Sequence, residues 1–163
     1  MISSFPPLMT IYFLRHADAE NMAASDFVRN LTPKGLEQAA KVGRFCKAHG
    51  LVPDKILTSP LNRARQTADI VANALGAEPI VQDWLACGMG IETLLKELSA
   101  RGEVESILVV GHEPDFSSVI SELIGASEGG GVLVTKASLT AISCPWIGAD
   151  SGQLKFSIPV RLM

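Results

Sequence analysis

Four large apolar residues in a row, Ile11-Tyr12-Phe13-Leu14, run directly into Arg15 and His16. Such a run suits a strand covered on both faces, the usual setting of a central strand in a parallel sheet. Strands of that kind end at the crevice where ligands bind. The run therefore delivers Arg15 and His16, side by side, to the floor of a pocket. A guanidinium binds phosphate oxygens in pairs, and a neutral imidazole is a nucleophile toward phosphorus. Taken alone, the pair more readily marks the chain leaving the core, so the rest of the sequence has to decide.

The remaining elements follow in alternation. Asp18 to Asn30 is a polar stretch without periodicity, too long for a tight turn. Thr32-Pro33 reads as a cap followed by a first helical proline. The helix behind it places Leu36, Ala39, Ala40, Gly43 and Cys46 on one stripe and turns Lys34, Glu37, Lys41, Arg44 and Lys47 to water. Gly50 ends it, and His49 in its last turn is a surface residue. Lys55 to Thr58 is a short strand. Ser59-Pro60 repeats the cap signal, and a second helix runs to about Leu75, with Leu61, Ala64, Ala68, Val71 and Leu75 inward and Gly76 as its stop. Glu78 to Val81 suits a strand and Asp83 to Gly90 a loop. Ile91, Leu94, Leu95 and Leu98 mark a third helix. Ser106 to Val110 is the strongest strand of the chain, followed by Gly111-His112-Glu113-Pro114 and a helix with Phe116, Val119, Ile120 and Leu123 inward, closed by Gly125. Gly129-Gly130-Gly131 reads as a flexible loop. Two β-like pieces, about Ser138 to Ser143 and Leu154 to Ile158, are expected to pair antiparallel at one edge. The order predicts one α/β domain over residues 1–163. It is a three-layer sandwich, with a mostly parallel central sheet, helices on both faces and an antiparallel edge.

Composition narrows the partners. The net charge is −3 and no Lys/Arg run occurs, which argues against nucleic acid or an anionic membrane surface. No apolar stretch approaches the ~20 residues of a membrane span. Met1 to Pro7 lacks the basic and apolar regions of a secretion signal. The three cysteines, Cys46, Cys87 and Cys144, fit no zinc or redox spacing, and Cys46 sits on the apolar helix stripe. A reducing cytoplasm accommodates all of this.

Two strands end in histidine, at Arg15-His16 and at Gly111-His112, and a third ends in Ser59-Pro60-Leu61-Asn62-Arg63. In a parallel sheet the three ends open on one side. Arg15, His16, Arg63 and His112 therefore gather round one crevice, with Arg63 in the first turn of its helix, where an anion is favoured. Singly, Arg63 could be a surface arginine and His112 a core histidine. Together they make a pocket suited to a phosphoryl dianion, with no acidic metal-ligand set among them.

These residues and the stretches around them resemble the histidine phosphatase superfamily, of phosphoglycerate mutase-like fold, and within it the small SixA-like branch of phosphohistidine phosphatases. The resemblance is carried by Leu14-Arg15-His16-Ala17-Asp18-Ala19-Glu20, by Leu31-Thr32-Pro33-Lys34-Gly35, by Ser59 to Ala68, and by Val109-Val110-Gly111-His112-Glu113-Pro114. It implies that His16 is the nucleophile, that Arg15 and Arg63 clamp the phosphate, and that His112 binds the phosphoryl group beside them. It implies neither metal nor cofactor. Ala17 stands where the wider superfamily has glycine, which matters if that position needs a positive φ. Two places are open for the proton donor: Glu113, directly after His112, or the segment holding Asp83 and Glu92.

The expected reaction is attack of His16 in line on phosphorus, followed by hydrolysis of the phosphohistidine by water, with positioning and charge stabilisation supplying most of the catalysis. The expected substrate is a phosphorylated protein, a histidine-containing phosphocarrier being one candidate, or a small phosphoester. A mutase is disfavoured for want of a closing lid. A non-catalytic phosphate-binding module would not keep His16. A metallohydrolase would need carboxylates at metal spacing, and Asp18 near His16 is the sole hint of one.

Overall fold

The computed structural model describes residues 8–126 and 131–163. The Met1 to Pro7 segment and the first two glycines of the Gly129-Gly130-Gly131 loop lie outside the described residues. A six-stranded sheet is built from β1 (Met9–Arg15), β2 (Lys55–Thr58), β3 (Pro79–Val81), β4 (Ser106–Gly111), β5 (Leu139–Cys144) and β6 (Gln153–Ile158), in the order β3-β2-β4-β1-β5-β6. The helices are α1 (Pro33–Ala48), α2 (Asn62–Leu75), α3 (Ile91–Ser99) and α4 (Asp115–Leu123). A short 3-10 turn, Asp83–Leu85, interrupts the stretch expected to be loop.

Strand register brings the chemistry together. β1 runs parallel to β4 with Arg15 opposite Gly111, and β2 runs parallel to β4 with Thr58 opposite Val110. The carboxyl ends of the three strands are thus nearly level, and the next residues in each chain are His16, Ser59 and His112. β5 and β6 are antiparallel, as expected, but β5 pairs with β1 and is buried along its length, so β6 alone forms that edge.

Alternation along the strands divides the core into two layers. Ile11, Phe13, Leu57, Ile107 and Val109 face one side and pack with Leu94 and Leu98 of α3 and with Phe116, Val119, Ile120 and Leu123 of α4. Leu14, Ile56, Leu108 and Val110 face the other and pack with Ala39, Val42 and Cys46 of α1 and Ala64, Ala68 and Val71 of α2. Burial of each such Leu, Ile, Val or Phe is worth roughly 1.5–3 kcal/mol. The α1 stripe is rotated from its expected setting: Gly35, Ala39, Val42, Gly43 and Cys46 are buried, while Leu36 is 46% exposed. Gly43 lets α1 approach Val71 and Ala74 of α2 and Gly35 packs against Asp18, while Leu36 lies about 100° round the helix from Gly35, outside that contact. Burial pushes the Cys46 thiol up to about 11, which fits its reading as core filler.

Candidate active site

His16 leaves β1 with its two ring nitrogens in different roles. Nδ1 donates to the Ala17 carbonyl at 2.8 Å, which places the proton on that nitrogen. Nε2 is left with its lone pair, and the Nε–H of Arg63 points at it from 3.3 Å. His16 is buried, and its pKa falls to about 4, chiefly from desolvation, with Arg63, Arg15 and Lys136 adding to the fall. The imidazole is therefore neutral through the physiological range. The backbone N–H of Ala137 reaches both the Arg15 and the His16 carbonyls, at 3.1 and 3.2 Å, and ties this corner down. Ala137 does so in the left-handed region, at φ 56°.

His112 lies across from it, the ring centroids 5.3 Å apart. Its Nε2 meets Ser59 Oγ at 2.7 Å, and the same oxygen accepts the Leu61 N–H at 3.3 Å. His112 Nε2 and Ser59 Oγ share one proton in this bond, and His112 Nδ1 is a buried nitrogen without a partner among the described residues. Desolvation, then the neighbouring His16 and Arg63, lower the pKa of His112 to about 3. Ser59 is thus not the cap expected of it. α2 begins at Asn62, its cap position is Leu61, and no side chain caps it. Ser59 is held back at the end of β2, where it serves the second imidazole instead.

Arg63, in the first turn of α2 as expected, is almost fully buried. Its terminal nitrogens donate to the Asp26 carbonyl at 2.8 Å and to the Asp26 carboxylate at 3.0 Å. Arg15 donates to the Val134 carbonyl at 3.0 Å, and its Nε is buried without a partner among the described residues. Burial lowers the pKa of Arg15, and the charge of Glu113 opposes that shift, so the two share one electrostatic neighbourhood. Glu113 Oε1 accepts the Ser117 N–H at 2.8 Å, in the first turn of α4, a helix cap. Asp83 and Glu92 are exposed on the α3 side of the sheet.

Other groups complete the wall. Asp18 accepts from Lys136 Nζ and from Thr32 Oγ1, each at 2.7 Å, and these two bonds hold its carboxyl below the usual range. Its oxygens are thus engaged, and no group of three or more potential metal-ligating side chains occurs among the described residues. Thr67 Oγ1 joins the Arg63 carbonyl to the Ala17 N–H. Ala17 is not among the residues with positive φ, so alanine there carries no backbone penalty. Sequence patterns do not single out Lys136, Asp26 or Ser59 as site residues. Lys136 and Asp26 stand on irregular segments away from His16 in the chain, and nothing short of the fold brings them there.

The arrangement of level strand ends, two facing imidazoles, and one buried and one half-buried guanidinium on a helix-covered, mostly parallel sheet defines a phosphoglycerate mutase-like fold. The structure of the protein histidine phosphatase SixA complexed with tungstate superposes with a TM-score of 0.81 at 25% identity, covering 94% of this chain and 99% of that one. A family model described as histidine phosphatase superfamily (branch 1) matches residues 11–86. The phosphohistidine phosphatase SixA of Escherichia coli is 29% identical over 119 residues, 71% of this chain and 74% of that protein. A SixA homolog of Haemophilus influenzae, also described as a phosphohistidine phosphatase, is 36% identical over 129 residues, 72% and 78% respectively. The chain belongs to the histidine phosphatase superfamily, in its SixA-like branch. No described helix is long and apolar enough to cross a membrane.

Proposed function

We propose that this histidine phosphatase removes the phosphoryl group from phosphohistidine on a protein, without a metal, through a phosphorylated His16. The observation that carries the reading is one imidazole lone pair set beside buried polar nitrogens that have no partner among the described residues. His16 Nε2 is neutral and nucleophilic, while Arg15 Nε is a buried donor, and His112 Nδ1 a buried ring nitrogen, without partners among the described residues. Unpaired buried donors are costly, and an anion seated against them removes that cost.

In the first step His16 Nε2 attacks phosphorus in line. The bond to the leaving group breaks, and the phosphoryl group passes to His16. Arg63 Nε moves its bond from the ring nitrogen to a phosphoryl oxygen, and Arg15 and His112 hold the others as their charge redistributes. In the second step water attacks, the P–N bond breaks, and phosphate leaves with His16 neutral again. Glu113, beside Arg15, is the proposed proton donor to the leaving group, its Oε2 being free of the helix cap. Asp83 is the alternative.

A protein substrate is supported by the names of the relatives and by the rim. Phe27, next to Asp26 in the chain, is 49% exposed and offers an apolar group near the site. A small phosphoester is the second reading; a cavity of about 610 Å³, lined by Glu113, Ser117, Ser121, Glu122 and Val134, adjoins Arg15 through the Val134 carbonyl, but none of His16, Arg63 and His112 lines it. Comparing kcat/KM for a phosphohistidine-bearing carrier protein with that for a panel of small phosphoesters, all in chelator, tests both. A carrier preferred by about tenfold or more supports the first reading. A small ester preferred by that margin overturns it, and activity lost in chelator and restored by a divalent ion overturns the metal-free mechanism.

A further inference from the structure

We infer that Asp26 is a positioning residue for Arg63: it fixes the guanidinium so that Nε, and not a terminal nitrogen, faces His16. The inference rests on the reading of Arg63 as a phosphate clamp. Both terminal nitrogens of Arg63 are bonded by the same residue, NH1 to the Asp26 carbonyl at 2.8 Å and NH2 to its carboxylate at 3.0 Å. Two bonds from one residue to two ends of a planar fork leave the guanidinium no free rotation, and the third nitrogen is then aimed at His16 Nε2, 3.3 Å away. Arg63 is 4% exposed, whereas the Asp26 side chain is 58% exposed, so the anchor sits at the mouth and the aimed group in the floor.

The Asp26 carboxylate has a second, separate partner. Its other carboxylate oxygen takes Arg29 NH1 at 2.7 Å, and its carboxyl is kept below the ordinary range first by Arg29 and then by Arg63. The neighbouring backbone is docked on α2: Asn62 N–H donates to the Phe27 carbonyl at 3.0 Å, and the Asn62 amide reaches the Val28 carbonyl and Asn30. The loop therefore keeps its place without the Asp26 carboxylate, and removal of that carboxylate acts on Arg63 rather than on the loop. When phosphate binds, Arg63 does not have to be recruited from solvent; the aspartate has already placed it, which is the pre-organisation that transition-state stabilisation needs.

Two properties separate this role from a structural one. The first is a split between kcat and KM. Misplacing a charged donor by about an ångström costs up to about 10²-fold in rate, while the remaining cations still bind the ground state. Asp26→Ala is expected to lower kcat on nitrophenyl phosphate by about 10- to 100-fold, with KM changed less than about threefold. Asp26→Asn, which retains one acceptor for the guanidinium, should recover part of the loss. Arg29→Ala, which removes the other ion pair of the same carboxylate, should keep kcat within about twofold of wild type. The second property is dependence on Arg63: in an Arg63→Ala background, Asp26→Ala should cause no further loss. Losses that multiply in the double variant, or an Arg29→Ala variant as slow as Asp26→Ala, would overturn the inference, as would unaltered kcat in Asp26→Ala. Vanadate binding, followed by calorimetry, does not depend on turnover. If Asp26→Ala weakens it at least tenfold in the wild-type background and not in Arg63→Ala, the positioning role stands even where the phosphohistidine reading fails. Equal affinity in all four proteins sinks it.

Discussion

His16 spends Nδ1 on the Ala17 carbonyl and presents Nε2 as a lone pair toward Arg63, and the proposed mechanism uses Nε2. His16→Ala is expected to abolish turnover while leaving the circular dichroism spectrum and cooperative unfolding in place. Label from a phosphorylated substrate, trapped by rapid alkaline quenching, should sit on His16 as an acid-labile, base-stable phosphate. Label on Ser59 or Cys87 would require another mechanism. Arg63 makes three directed contacts, at least two of which need a planar fork. Arg63→Lys substitutes a point charge and is expected to lower kcat by roughly 10²–10³. A near-normal rate on nitrophenyl phosphate would mean that the fork is not used. Glu113 is tied to Ser117 by one oxygen, so its two roles must be separated by leaving group. Nitrophenolate departs unaided and an alkoxide does not. As donor, Glu113→Gln should lose roughly 10²–10⁴ on an alkyl phosphate and little on the nitrophenyl ester. Equal small losses on both would leave it as the cap alone, and a selective loss in Asp83→Asn would move the role there.

At the scale of elements, the strands are legible because their apolar runs stop abruptly at polar residues, and the helices because small and apolar residues recur at helical spacing. Sequence spacing does not reveal which side of a helix the tightest neighbour occupies. Leu36 is apolar and in phase with Ala39 and Ala40, yet it is exposed, because Gly35 is the residue pressed against the chain. A Cβ at Gly35 would overlap the Asp18 carbonyl. Gly35→Ala is therefore expected to destabilise the fold by about 1–3 kcal/mol, as overpacking does, read as a lower urea midpoint at unchanged slope. An unaffected midpoint would mean that α1 and the Asp18 loop can part at no cost. Ser59 misleads for a related reason. Ser-Pro has the form of a helix start, but helix α2 begins later, and the hydroxyl is spent on His112. The loop from Asp18 to Asn30 carries no periodic signal at all, so Asp26 becomes visible only when Arg63 is seen to be enclosed by it.

For the molecule as a whole, two imidazoles kept neutral in the interior make stability depend on pH. The ordinary value is 6.5, and the folded values are about 4 for His16 and about 3 for His112. Between these limits the unfolded chain binds more protons than the folded one, so stability falls as pH falls from about 6.5, by up to about 1.4 kcal/mol per pH unit for each group. The depressed carboxyls of Asp18 and Asp26 act in the same direction at lower pH. Urea midpoints measured at pH 8, 6.5 and 5 should be similar at the first two and lower at the third, and His16→Ala should flatten the dependence. A midpoint that rises on acidification would mean that the histidines are charged in the fold. Ala137 has a different consequence, one for selection. It holds the Arg15-His16 corner by its backbone while occupying a conformation that costs an L-residue roughly 1–2 kcal/mol over glycine. A laboratory search for heat-resistant variants would thus be drawn to glycine at this position. Any gain would come with a looser tether on the two carbonyls beside His16, so durability and turnover would be traded at a single methyl group.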